Sequence, residues 1–339
     1  MIEELPPCAW SPLAAVAATM FTFGLAFLCS CMWWLLKVPL ALAALVSFGT
    51  YAVALLATTF LPPVDLRKKY GAEWALVTGA SSGIGKSLAV ACAKQGLNVA
   101  LVALPDALLD STHKELTKRF RKVQIRKVGV NLGEPGYMAD VVKATEDVPI
   151  QVIFANAGYM LTGFFIENSI DKHLCNIECN SISAVQITHH FVNRMVEEQK
   201  KGCVVFTSSA AASMPSPFTA LYSATKSFIS AFAAGVAAEV KSKGIDVCVV
   251  HPSPVATRFY EKAHKIDMLD FFKQFSVDPD TLPDKYMQAI GRTVWADVGA
   301  TAIIFRLMMK VVDYTFLSTL LSNIAHLMPD YQRHSKKDK

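Results

Sequence analysis

The chain has 339 residues, 53% hydrophobic and only 18% charged, against roughly 25% charged in an ordinary soluble domain. Its net charge of +5 gathers in two clusters, Arg67-Lys68-Lys69 and Arg333, Lys336, Lys337 and Lys339, neither interleaved with aromatic residues, which argues against nucleic acid as a partner. Eight scattered cysteines without CxxC pairs or Cys/His ligand spacing argue against a zinc site, and no metal is expected.

The first predicted elements are apolar. Residues 13–36 carry no charge and would make a helix of roughly 36 Å, long enough to cross a bilayer. A second such run covers 40–61, and Lys37 is the only charge between Leu13 and Leu61. Lys37-Val38-Pro39 separates the two runs. Proline cannot continue a helix without losing a hydrogen bond, and Trp33 and Trp34 flank the break where interfacial aromatics belong. A tight hairpin would return the chain to its starting side; a single span with an interfacial segment would not. Both arrangements stay open. The acidic start MIEELPPC and the length of the apolar region argue against a signal peptide. Residues 1–63 are therefore read as a membrane anchor of one or two spans. Arg67-Lys68-Lys69 then places the following domain on the cytoplasmic side. The lack of any Asn-x-Ser/Thr sequon agrees with that side.

From Glu73 the pattern alternates. Apolar strands are predicted at 74–78, 98–103, 123–130, 150–155, 202–208 and 244–250, with helix-like segments between them. Nearly continuous apolar strands alternating with helices specify a doubly wound parallel α/β sheet of Rossmann type, spanning about 64–298. No seventh strand is evident. The first turn, TGASSGIG (78–85), follows a strand and opens a helix. Gly79 permits the tight turn, Gly83 lets a diphosphate approach the backbone, and Gly85 lets the helix lie close on the sheet. The free N–H groups of that helix start offer a phosphate site. A dinucleotide is thus the expected cofactor. The second strand ends Ala103-Leu104-Pro105-Asp106, with no acid at the strand end to take a ribose 2′-hydroxyl. Asp106 lies beyond the proline. NADPH is therefore preferred over NADH, with Ser81, Ser82 and Lys86 available to a 2′-phosphate.

TGASSGIG, Asn156-Ala157-Gly158, Ser209 and YSATK (222–226) stand in order, with Ser209 thirteen residues before Tyr222. Together with Asn180 in IECNSIS and HPSPVAT (251–257), they resemble the short-chain dehydrogenase/reductase family over about residues 73–258. The residue types suit ketone reduction. A free tyrosine has a pKa near 10, too high for easy proton exchange. Lys226, one helical turn on, is expected to lower the pKa of Tyr222 by its charge. Tyr222 is then the general acid in reduction and base in oxidation, and Ser209 holds the carbonyl oxygen. The resemblance further implies that Lys226 grips the nicotinamide ribose, that Asn180 supports a proton-relaying water, and that Thr257 bonds the carboxamide. It extends the cofactor set to Thr78, Ile84, Asn156, Ala157, Gly158, Pro252 and Val255. Departures from the family pattern are Ala155, Leu104, Asn131 and Ser253. They bear on cofactor preference and remove no catalytic group.

Residues 257–295 fall where the family builds its substrate lid, and RFYEKAHKIDMLDFFKQF (258–275) reads either as an amphipathic cover or, for Phe271, Phe272 and Phe275, as core. The segment 299–339 is apolar but carries Arg306, Lys310 and Asp313, which argue for a membrane-surface or membrane-dipping helix over a clean span. The end Lys336-Lys337-Asp338-Lys339 is similar to a Lys-Lys-x-x retrieval signal, which implies the endoplasmic-reticulum membrane with the catalytic domain facing the cytosol. Within the family the pattern is similar to very-long-chain 3-oxoacyl-CoA reductases and hydroxysteroid dehydrogenases. The implied substrate is a lipid-like ketone or its alcohol, a 3-oxoacyl-CoA or a steroid, with 3-ketosphinganine as a competing reading. Membrane lipid is an implied partner, and pairing through the helices carrying Asn180 and Tyr222 would give a homodimer. A non-catalytic, cofactor-binding scaffold or sensor is the alternative of another class; the complete Asn180, Ser209, Tyr222 and Lys226 set argues for the enzyme.

Overall fold

The computed structural model describes residues 12–261 and 266–335. The chain divides into two compact units, Met1–Val53 and Ala54–Lys339.

Helix α1 runs from Pro12 to Phe60 with Pro39 inside it. The break expected at Lys37-Val38-Pro39 is not there. Proline removes one backbone bond, and the Leu- and Ala-rich turns on both sides carry the helix through it. Its Thr22, Thr50 and Thr58 hydroxyls bond within the helix. The hydroxyls of Thr22 and Thr50 donate to carbonyls one turn back, Ala18 at 3.0 Å and Val46 at 2.7 Å. The ammonium of Lys37 lies 4.4 Å from the ring centroid of Trp33. Its large apolar side chains are exposed, and it is long and apolar enough to cross a membrane.

In the second unit, α2 (Leu66–Tyr70) is capped by Asp65, which accepts from the Lys68 amide, and ends at left-handed Gly71. There follow β1 (Trp74–Thr78), α3 (Gly83–Lys94), β2 (Asn98–Ala103), α4 (Ala107–Arg119), β3 (Ile125–Gly129), α5 (Tyr137–Thr145) and β4 (Ile150–Ala155). Helix α6 (Ile170–Ile177) passes through a π-helical turn at Glu178–Ile182 into α7 (Ser183–Glu197). Next come β5 (Gly202–Thr207), α8 (Ala220–Val240), β6 (Ile245–Pro252), α9 (Asp267–Lys273), α10 (Leu282–Ala289) and β7 (Trp295–Val298). The chain closes with α11 (Ala300–Val311), α12 (Tyr314–Ile324) and α13 (Pro329–Ser335).

The seven strands form one sheet in the order β3-β2-β1-β4-β5-β6-β7, every pair parallel. The strand the sequence did not reveal, β7, is four residues long and pairs His251 with Asp297 across the edge. Alternation along β1 sends Ala75 and Val77 into one core and Trp74 and Leu76 into the other, so both faces are covered. The order reverses between β1 and β4, and the crevice beyond their C-terminal ends is where such sheets bind ligands. The dilysine end, Lys336-Lys337-Asp338-Lys339, lies outside the described residues.

Candidate active site

The turn after β1 is built for close approach. Gly79 and Gly83 have φ of 65° and 54°, in the left-handed region that disfavours a side chain. A Cβ on Gly83 would stand 2.9 Å from the Thr257 methyl, and one on Gly85 would stand 2.2 Å from the Gly79 carbonyl oxygen. Ser82 starts α3 without a side-chain cap, so the first amides of the helix stay available to an anion. Beneath the turn, the Thr78 hydroxyl accepts from the amides of Asn156 and Ala157, both at 2.9 Å. The Asn156 side chain donates to the Thr78 carbonyl at 3.1 Å and accepts from the Thr207 hydroxyl at 3.0 Å. Thr78 and Asn156 thus lock β1, β4 and β5 together under a floor of small residues. These features fit a dinucleotide, whose diphosphate needs bare backbone and a helix start.

Ser209, Tyr222 and Lys226 meet at the next strand end. Ser209 caps the short helix 210–213, its hydroxyl accepting from the Ala211 amide at 3.2 Å, and it also hydrogen-bonds Tyr222. Tyr222 and Lys226 lie on one face of α8, the Lys226 Nζ 5.8 Å from the Tyr222 ring centroid. Lys226 Nζ donates to the Thr207 carbonyl at 2.9 Å. Phe259 packs on Tyr222 at 5.6 Å between ring centroids. Asn180 sits in the π-helical turn, and its side chain embraces the Tyr159 backbone, accepting from the amide and donating to the carbonyl, each at 2.9 Å. A Cβ on Gly158 would lie 3.1 Å from Asn180 Oδ1 and 3.2 Å from Lys226 Nζ, so a side chain there would press both groups aside by a few tenths of an ångström.

The electrostatics differ from the sequence expectation. Burial raises the Tyr222 phenol above its ordinary value and nearby Tyr260 adds to this, while the hydrogen bond with Ser209 acts the other way. Burial also brings Lys226 down to about 8, partly offset by Cys179. The ammonium is turned to the Thr207 carbonyl, and desolvation, not the lysine's charge, sets the direction for the phenol.

One cleft of about 1290 Å³ takes in these groups. Gly79, Ser81, Ser82, Gly83 and Ile84 line it from the first turn, and Asn156, Ala157 and Gly158 from the end of β4. Pro252, Val255 and Thr257 line it from the end of β6, beside Ser209, Tyr222 and Lys226. Thr78, Gly85 and Asn180 act from behind the wall. Asp106 caps α4, accepting from the Leu108 and Leu109 amides, and Lys86 is paired with Glu115 at 2.6 Å. Asn131 turns its oxygen to the Gly133 amide. The far wall was not legible in sequence: Phe305 and Met308 of α11 and Leu317 and Leu321 of α12 line the cleft. Of the lid phenylalanines, Phe272 packs on Phe305 at 5.1 Å and faces the cleft, whereas Phe271 and Phe275 are more than half exposed. Asn176, one turn before Asn180, was also missed; it donates to the Tyr159 carbonyl at 2.9 Å.

Comparison with known proteins agrees with this geometry. A family model described as short chain dehydrogenase matches residues 73–266. The very-long-chain 3-oxoacyl-CoA reductase of Anas platyrhynchos is 36% identical over 65% of this chain and 68% of its own length. That of Caenorhabditis elegans is 32% identical over 62% of this chain and 67% of its own. Among solved structures, a short-chain dehydrogenase from Sphingobium yanoikuyae in complex with NADPH superposes with a TM-score of 0.61 at 24% identity, covering 71% of this chain and 96% of its own.

Proposed function

The chain belongs to the short-chain dehydrogenase family and is an NAD(P)-dependent oxidoreductase, and from that premise we propose that it is a membrane-anchored, NADPH-dependent reductase of long-chain 3-oxoacyl-CoA. The observation that carries this reading is the placement of Ser209, Tyr222 and Lys226 in a cleft whose far wall is the apolar flank of α11 and α12. Polar groups at one end suit a ketone; the greasy wall suits an acyl chain. The relatives' names supply the thioester class.

When bound, NADPH supplies the hydride to the carbonyl carbon. Gly79, Gly83 and the start of α3 would hold its diphosphate, and Lys226 its ribose. The Ser209 hydroxyl donates a hydrogen bond to the substrate oxygen and fixes the carbonyl against Tyr222. Tyr222 gives its proton to that oxygen, so ketone, hydride and proton yield a secondary alcohol. A phenol kept protonated by burial is already in the form that reduction needs. Lys226 then stabilises the phenolate left behind.

The apolar α1, followed by Arg67, Lys68 and Lys69, supports anchoring in the endoplasmic-reticulum membrane with the catalytic unit facing the cytosol. Membrane lipid is the second partner in this reading. A homodimer would pair through α7 and α8, where Ile182 at the start of α7 and Phe228 are exposed. The test is to offer the purified full chain, in lipid vesicles, NADPH or NADH with 3-oxoacyl-CoA of increasing chain length. Nucleotide oxidation that needs the long-chain substrate and prefers NADPH is expected. Tight NADPH binding with no turnover at any chain length would sink the reading.

A further inference from the structure

Behind the catalytic lysine lies a line of polar side chains in what is otherwise apolar core. Ser208, the residue before Ser209, donates to the backbone carbonyl of Lys226 at 2.9 Å. Ser230, one turn further along α8, reaches the same carbonyl at 2.7 Å and lies 2.8 Å from Ser208. Nε2 of His251 on β6 is 2.8 Å from the Ser230 hydroxyl. Across the strand pairing, Nδ1 of His251 is 3.8 Å from Oδ1 of Asp297 on β7. Asp297 Oδ1 also accepts from the Trp295 indole at 3.1 Å, and its Oδ2 is 4.0 Å from Nε of Arg306 on α11. The His251 ring and the Arg306 guanidinium both stack on Trp295, at 4.0 and 4.6 Å.

Ser208 and Ser230 are each 2% exposed and His251 is wholly buried. Serine, histidine and aspartate in this sequence of contacts have the form of a hydrolytic triad, but Ser230 is 2% exposed and offers no surface for a substrate to reach. Ser208, Ser230, His251 and Asp297 are buried, while the Arg306 side chain is 35% exposed. Burying four polar groups in a row costs free energy unless each is bonded, and apolar residues would fill the same space at no such cost. What the row gains is position. At one end it grips the carbonyl of the residue whose ammonium serves the reaction. At the other, Asp297 faces Arg306 across 4.0 Å as an ion pair, on the helix that presents Phe305 and Met308 to the cleft.

We propose that Ser208, Ser230, His251 and Asp297, closed at the partly exposed Arg306, form a positioning relay that fixes the turn of α8 bearing Lys226 and couples it to the substrate wall on α11. The charged or titratable groups that interact with Lys226 are Tyr222 on its own helix, Cys179 on the π-helical turn and His251 on β6. Burial holds His251 neutral, down to about 3, so the relay carries no titration of its own near neutral pH. The proton that titrates there belongs to Lys226.

The inference rests on the proposed role of Lys226, and its test reads that residue with and without turnover. Full-length His251→Phe keeps the ring on Trp295 and removes both nitrogens; Ser230→Ala removes one hydroxyl. NADPH affinity, read from the fluorescence of the bound nucleotide, is followed across neutral to alkaline pH, where loss of the Lys226 charge sets an alkaline limb. Both variants are expected to move that limb by at least about half a pH unit, because Lys226 sits differently. They should lower kcat by about five-fold or more while KM stays within about two-fold, and His251→Gln, which restores a polar reach to Ser230, should recover most of it. A limb and a kcat that stay at wild-type values in both variants, with only the melting temperature lowered, would overturn the relay. If His251→Phe does not fold, Ser230→Ala decides by the same criteria. Wild-type protein without turnover would count against the 3-oxoacyl-CoA reading alone, since the NADPH limb still judges the relay.

Discussion

Tyr222, the proposed proton donor, is buried beside Ser209 and one turn from Lys226. Removing only its hydroxyl, in Tyr222→Phe, deletes that proposed donor and leaves the ring on Phe259. Turnover is expected to fall by about 10²–10⁴ while NADPH affinity is unchanged, as measured by steady-state kinetics and nucleotide fluorescence. Retention of most activity would move the proton donor elsewhere. Lys226 makes a separate prediction about stability. Its pKa falls from an ordinary 10.5 to about 8 in the folded chain, because burial disfavours the charge. Between those values the unfolded chain binds more protons than the folded one. The associated stability is therefore fully present above 10.5 and is lost as pH falls through about 8, a span on the order of 3 kcal/mol. Denaturant unfolding at several pH values should show Lys226→Met lacking that slope and gaining stability at neutral pH. A slope identical in wild type and variant would mean the lysine is solvated. Tyr222 and Lys226 were legible together because four residues make one helical turn, and Asn180 and Ser209 were legible through their resemblance to the family's pattern. That burial would raise the phenol, and that Asn180 would spend its amide on Tyr159, were not legible, since both depend on groups distant in the chain.

Among elements, the turn into α3 tolerates no side chain. A Cβ on Gly85 would stand 2.2 Å from a backbone oxygen, which must move. Gly85→Ala is expected to cost about 1–3 kcal/mol and to weaken NADPH binding by at least about ten-fold, read by thermal shift with and without nucleotide. Gly235, inside α8, has nothing within 4 Å of its would-be Cβ, so Gly235→Ala should instead stabilise by about 0.5–1 kcal/mol. Opposite signs at two glycines distinguish packing from propensity; equal effects would refute the cradle. Six strands were readable as apolar runs bounded by turns. The seventh was not, since Trp295–Val298 offers four residues with an aspartate among them. Its membership comes from pairing with β6, where Asp297 meets His251. The helix through Pro39 is the converse: local sequence marked a stop, and the strong helix formers on both sides override it.

At the scale of the whole molecule, α1 is roughly 74 Å long by its residue count, more than twice a bilayer's ~30 Å hydrocarbon. The proposed anchor can be separated from the catalytic unit. A chain starting at Ala54 is expected to bind NADPH as the full chain does and to leave the membrane pellet on carbonate extraction. A truncated chain still held in the pellet would assign anchoring to the exposed apolar side chains of α11 and α12, such as Val311 and Phe316. The charges that argued against a clean span in this region have local duties. Arg306 lies by Asp297, and Asp313 caps α12 by accepting from the Thr315 and Phe316 amides.

By itself the sequence determined the alternating fold and the nucleotide turn, because those follow from periods and spacings of a few residues; the serine, tyrosine and lysine stood out through their resemblance to a family pattern. Only the tertiary structure decided that α11 and α12 would wall the cleft, that β7 would close the sheet, and that a buried row from Ser208 to Asp297 would back the lysine. Those contacts join residues dozens of positions apart, and no local periodicity records which distant side chains will share a dry interior.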